Sequence, residues 1–124
     1  MKFGRIVDMT IEAEVNSLVS KFIEQSRGRT EAWRKLNVPE YNRRVKQVVE
    51  IAKALRSLPD GRRALVALMS DADPYVRLGA AYHCLDQSEA RQQAVATIRE
   101  LATTPNIARD HASVPLWDIE HGKS

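Results

Sequence analysis

Apolar residues recur at helical spacing along nearly the whole chain, without a sustained stretch of the two-residue alternation that marks a half-buried strand. Ile11, Val15, Leu18, Val19, Phe22 and Ile23 stand at i, i+4, i+7, i+8, i+11 and i+12, a single face of one helix. The β-branched pair Val48-Val49 falls inside another such stripe, formed by Tyr41, Val45, Val48, Val49, Ala52 and Leu55. No turn-type dipeptide joins two alternating runs, so a sheet is excluded and an all-α domain spanning residues 1–124 is predicted.

Caps and breakers divide the pattern. Thr10 is placed to cap the first helix, with Glu12 and Glu14 near its positive end, and Arg27-Gly28-Arg29 is placed to end it. A second stretch opens at Thr30 and is interrupted at Asn37-Val38-Pro39, because proline disfavours helical geometry in the residue before it. Pro39 then starts a long helix running to about Ser57. A second apolar arc on it, Ile51, Ala54 and Leu58, predicts a central helix packed on two sides, while Asn42 is expected to secure the kink before it. Ser57, Asp73, Ser88 and Thr104 are the expected caps of four further helices, the last ending before Pro115. Leu116 and Trp117 are expected to fold back on the bundle, and about 119–124 to fray.

One segment has a form of its own. From Leu65 to Leu85 a Leu-rich helix end runs into the acidic turn Ser70-Asp71-Ala72-Asp73-Pro74, and a helix restarts at Tyr75-Val76-Arg77-Leu78-Gly79-Ala80-Ala81. Asp73 and Pro74 restart the chain abruptly, permitting a tight antiparallel return. Val76, Ala80 and Ala81 are compact enough for close backbone approach, and Gly79 is expected where another element comes near, since it costs roughly 1 kcal/mol of helix propensity. Arg77 is expected to reach Asp71 as a structural polar pair. The segment, about 60–86, resembles a HEAT repeat. With Tyr41-Asn42-Arg43 and Gly61-Arg62-Arg63-Ala64-Leu65 added, most of the chain resembles a family of small bacterial HEAT-like proteins catalogued as a domain of unknown function. The resemblance implies an α-α superhelix of about three antiparallel helix pairs, HEAT/ARM-like, the first pair longest; it carries no activity with it.

Chemistry-bearing motifs are sparse. No Gly-rich phosphate loop, nucleophile elbow or metal-dependent hydrolase helix occurs. His83 and Cys84 are adjacent and so diverge on a helix, and Cys84 continues the Val76–Ala80 stripe, as a buried structural thiol would. His111 and His121, with Asp110, Asp118 and Glu120 nearby, match no zinc spacing. No cofactor or metal is expected, and no enzyme activity. HEAT-like folds include DNA glycosylases that use Trp and Asp beside a basic groove, for which this chain offers Trp33, Trp117 and Asp118. It is much shorter than those enzymes. A lone cysteine excludes an intramolecular disulfide and fits a reducing cytoplasm, the expected location. The opening residues reach Asp8 before an apolar signal core forms, and no apolar run is long enough for a membrane span.

Charge is the remaining signal. The whole chain carries +3, but residues 27–63 alone carry +7 and the residues on either side are net acidic. Most of these cations are expected on a solvated helix face; as a set they would steer an acidic partner toward the middle of the chain. The expected function is a non-enzymatic protein-interaction module, an adaptor, regulator or immunity-type protein, with a concave helical surface. Asn42, Arg43, Arg44, Lys46 and Arg62 are its expected contacts to an acidic protein partner. Nucleic acid binding through 27–63 is the alternative. Asp71, Asp73, Pro74, Arg77 and Gly79 are expected to be structural.

Overall fold

The restart at Asp73 is built as its sequence dictates. Its carboxylate accepts from the backbone N–H groups of Tyr75, at 2.8 Å, and Val76, at 3.3 Å, and Pro74 occupies the first turn. The same carboxylate accepts from the Thr30 hydroxyl at 3.1 Å, tying this helix start to a helix 43 residues earlier in the chain. In the computed structural model the described residues are 2–122, with side chains from Ile11 onward. They form six helices and, among the described residues, no strand: α1 Lys2–Arg34, α2 Val38–Arg56, α3 Pro59–Leu68, α4 Pro74–Tyr82, α5 Arg91–Thr103 and α6 Arg109–Glu120.

Helix α1 overturns two expected boundaries. Thr10 and Gly28 lie within it, and Thr30 does not begin a new helix. Arg44 of α2 crosses the helix at Gly28, where an added Cβ would stand 2.7 Å from Arg44 Cδ and Nε. The helix instead stops at Leu36, whose φ of 55° is left-handed. Asn37 N–H reaches back to Ala32 O and Leu36 N–H to Trp33 O, the paired bonds of a Schellman stop. Asn37, not Asn42, then caps α2 through its side chain. Arg29 lies beside Tyr41, and Gln25 beside Arg44, so numbers fall along one helix as they rise along the other, and the pair is antiparallel.

Other capping expectations shift. Ser57 bonds back to Ala54 O and closes α2, and Leu58 begins α3 without a side-chain cap. Ser88 lies in the turns before α5, which starts at Arg91, and Thr104 closes α5 by donating to Glu100 O. Helix α6 starts at Arg109, passes through Pro115 and carries residues 119 and 120, which were expected to fray; 123–124 lie outside the described residues. Pro115 lies inside α6 and has no N–H to donate to the carbonyl of His111, four residues back, so the helix continues through it with that bond missing.

The enclosed element is α4 rather than α2. Tyr75, Val76, Leu78, Gly79, Ala80 and Ala81 are all buried, and α4 packs on α1, α3 and α5. Helix α2 packs on α1 and α3 but leaves Val49 exposed. Gly79 sits at a close approach, as expected: a Cβ there would stand 3.2 Å from Phe22 Cζ and 3.5 Å from Val48 Cγ1. Arg77 does not pair with Asp71. It donates to Met69 O and Glu100, while Asp71 accepts from the backbone of Asp73 and shapes the turn.

Candidate functional site

Helices α2, α4 and α6 stand around an open groove, with α1 passing beneath. Its lining includes Asn42, Val45 and Val49 of α2, Leu78, Gly79 and Tyr82 of α4, and Val114 and Pro115 of α6. Its volume is about 440 Å³, in the range of small-ligand and peptide side-chain sites. Three of the chain's exposed large hydrophobics stand on its rim: Val49, Tyr82 at 54% and Val114 at 65% exposure. Exposed apolar residues scattered singly need no explanation; three around one cleft form a patch.

Beneath lies an aromatic knot drawn from four helices. The Tyr41 ring stacks on His111 with centroids 4.9 Å apart, and Trp33 meets His111 edge-on at 4.5 Å. Tyr75 Oη lies 2.7 Å from His111 Nδ1. Arg29, only 8% exposed, holds its guanidinium 4.8 Å from the Tyr75 ring centroid and 5.3 Å from that of Tyr41. It donates to Tyr41 Oη at 3.0 Å. Burial pushes the Tyr75 phenol up, so it stays protonated. Burial, reinforced by Arg29, lowers His111. His83 is lowered to about 4 by burial, then by Arg56 and Arg29. Both imidazoles are therefore neutral at neutral pH, and Arg29 is the fixed charge of the floor.

The sequence-predicted contacts are dispersed. Asn42 is exposed and lines the groove. Arg43 and Arg44 both clasp Glu40, at 2.6 and 2.8 Å, and hold its carboxyl down at about 2. Lys46 is exposed one turn beyond Asn42. Arg62 donates to Arg56 O at the end of α2, away from the groove. Arg29, expected among the solvated cations, is instead buried. Its position was legible: Phe22, Ser26, Arg29 and Trp33 continue the α1 stripe once the helix is carried through Gly28. His111, weighed only as a metal ligand, is a ring of the knot. Among the described residues no group of three or more His, Cys, Asp or Glu converges as a metal site. Cys84 is buried and its thiol is pushed up to about 11, chiefly by burial, so it is not a ready nucleophile. No described helix is long and apolar enough to cross a membrane.

These features define a small all-helical domain with an apolar groove over a buried cation. The chain belongs to the family of a domain of unknown function, DUF2019, whose model matches residues 16–113, a stretch holding Arg29, Trp33, Tyr41, Tyr75 and His111. No curated protein and no solved structure matches it.

Proposed function

We propose that the protein is a non-enzymatic interaction module that grips a protein partner in the α2–α4–α6 groove. The observation carrying this reading is the rim, where Val49, Tyr82 and Val114 stand exposed around one cleft. If the six helices are read in chain order as three successive pairs, α1–α2, α3–α4 and α5–α6, the groove is lined mainly by the second member of each. A HEAT-like stack, in which helix pairs rotate slightly from one to the next, puts such a set on its concave side. Lys46 and Asn42 on α2 and Arg29 beneath make acidic character in the partner favourable.

The test is affinity capture from native extract with paired variants. Val49→Glu with Tyr82→Glu places two anions on the rim and is expected to release the partner. Arg63→Glu on α3, outside the groove, is expected to retain it. Equal retention by both variants overturns the groove assignment. Capture of nucleic acid instead, with affinity falling steeply with salt, overturns the protein-partner reading.

A further inference from the structure

A guanidinium removed from water needs compensation, and Arg29 finds little within the chain. Its Nη2 has the Tyr41 hydroxyl, but its Nε is buried without a hydrogen-bond partner. None of the ion pairs among the described residues includes it. Two tyrosine faces offset part of the lost hydration and supply no counter-charge. His83 and His111, the other titratable side chains lining the groove besides the tyrosines, are neutral and bring no anion.

The groove opens over this cation. Gly79 lines the groove beside it, and a Cβ built there would stand 3.7 Å from Arg29 Nη1, so the α4 backbone passes close to the guanidinium. Above it rise the apolar walls Val45, Val49, Leu78 and Val114, with Asn42 as a polar neighbour. One planar cation in an apolar cleft matches one planar monoanion. A phosphate dianion would bring twice the charge to a single buried partner. We infer that the groove floor is a carboxylate-binding subsite, taking an acid whose apolar body lies along Val45, Val49, Leu78 and Val114. The inference rests on the preceding reading only in sharing its groove. The same chemistry is supplied by a free amphipathic acid or by the end of a polypeptide.

The experiment is a titration of the 15N-labelled 124-residue chain with two matched pairs of probes. Octanoate is compared with octanol, and N-acetyl-leucine with N-acetyl-leucinamide. Each pair keeps the apolar body and removes the charge. The acid of at least one pair is expected to shift the amides of Gly79, Tyr82 and Val114. It should bind about tenfold or more tighter than its neutral analogue, the factor set by a charge-assisted contact. Octanoate as the tighter acid identifies a free amphipathic acid; acetyl-leucine as the tighter identifies a chain terminus. Arg29→Met, checked by thermal melting for retained fold, is expected to bring the ratio to one. Val114→Glu acts from the exposed rim without touching the core and is expected to weaken the acid about tenfold by like-charge repulsion. Equal affinity of acid and neutral analogue in both pairs overturns the subsite. So does equal competition by inorganic phosphate, or the absence of any shift at roughly 10 mM probe. A protein partner still captured through the rim in that case leaves the interaction reading standing, so the two failures are distinguishable.

Discussion

Replacing Gly61 by alanine sets helix propensity against packing at one atom. Gly61 is in the first turn of α3, two residues after Pro59, and is buried. Propensity alone predicts a gain of at most about 1 kcal/mol. The new Cβ, however, would stand 2.1 Å from the Leu55 carbonyl oxygen and 2.8 Å from its carbon. An ordinary carbon–oxygen contact is about 3.3–3.6 Å, so the α2–α3 corner must open by roughly an ångström. No rotamer relieves this, because the obstacle is backbone and Leu55 is itself fully buried. Overpacking costs about 1–3 kcal/mol, and a backbone obstacle belongs at the upper end, leaving a net loss of about 2 kcal/mol. At this chain length that lowers Tm by roughly 8 °C. Gly28→Ala is the matched control: its Cβ meets the Arg44 side chain, whose flexible end swings aside. The Arg44–Glu40 pair it disturbs is partly exposed and worth under about 1 kcal/mol, so Gly28→Ala should match or modestly exceed the parent. Thermal denaturation followed by circular dichroism decides. A Gly61→Ala protein melting at or above the parent would refute the close approach, and equal losses at both positions would refute the distinction between backbone and side-chain obstacles.

Asp73→Ala removes a helix cap and the anchor of Thr30 together, and is expected to cost about 2 kcal/mol, whereas Thr30→Val keeps the cap and should cost about half as much in urea titration. Leu36→Gly relieves a left-handed leucine that is 76% exposed and packs little, so a gain of about 0.5–1 kcal/mol in the same assay is expected, and any loss counts against that stop geometry. His83 has a folded pKa of about 4 against an ordinary 6.5, so between those values the unfolded chain binds a proton that the native chain does not. Stability should therefore fall as pH drops from about 6.5 toward 4, with a slope of up to about 1.4 kcal/mol per pH unit for this group. His111 acts in the same direction, and His83→Gln should flatten the dependence; an unchanged profile would show that His83 is not held neutral.

The helices were readable where one cause acts locally. Asp73-Pro74 fixed a boundary to the residue, because a carboxylate accepting two backbone N–H groups depends on nothing outside its own turn. The burial of Val76, Ala80 and Ala81 followed from period and size. Boundaries failed where a distant element overrode local preference. Gly28 reads as a stop by propensity, yet α2 covers that position with Arg44 and the helix continues. Ser57, Ser88 and Thr104 are good capping types that the chain uses for other bonds, two of them closing the preceding helix. The groove suffered from the same cause. A break at Gly28 severs Arg29 from the stripe of Phe22, so local propensity places this buried cation among solvated ones. The knot joins residues 33, 41, 75 and 111, separations that no helical period encodes.

The charge run itself argues between the two binding readings. Of its eleven cations, Arg29 is inside, and Arg34, Arg43, Arg44, Arg56 and Arg63 each face a carboxylate. Arg43 and Arg44 share one Glu40, so that cluster offers a partner a net charge near +1 rather than +2. Such exposed pairs are weak and yield readily, but a phosphate chain that displaces a carboxylate gains less than one meeting a bare cation. The remaining five, with no carboxylate partner among the described residues, are Arg27 on α1, Lys35 in the following turn, Lys46 and Lys53 on α2, and Arg62 on α3. They belong to four separate elements, whereas phosphate tracking needs a continuous stripe along one face. Any affinity for nucleic acid should therefore show a shallow salt slope, of about two to three released counterions rather than eleven. The proposed groove interaction needs no such stripe: the apolar rim would supply contact area, and the buried Arg29 would favour one acidic group.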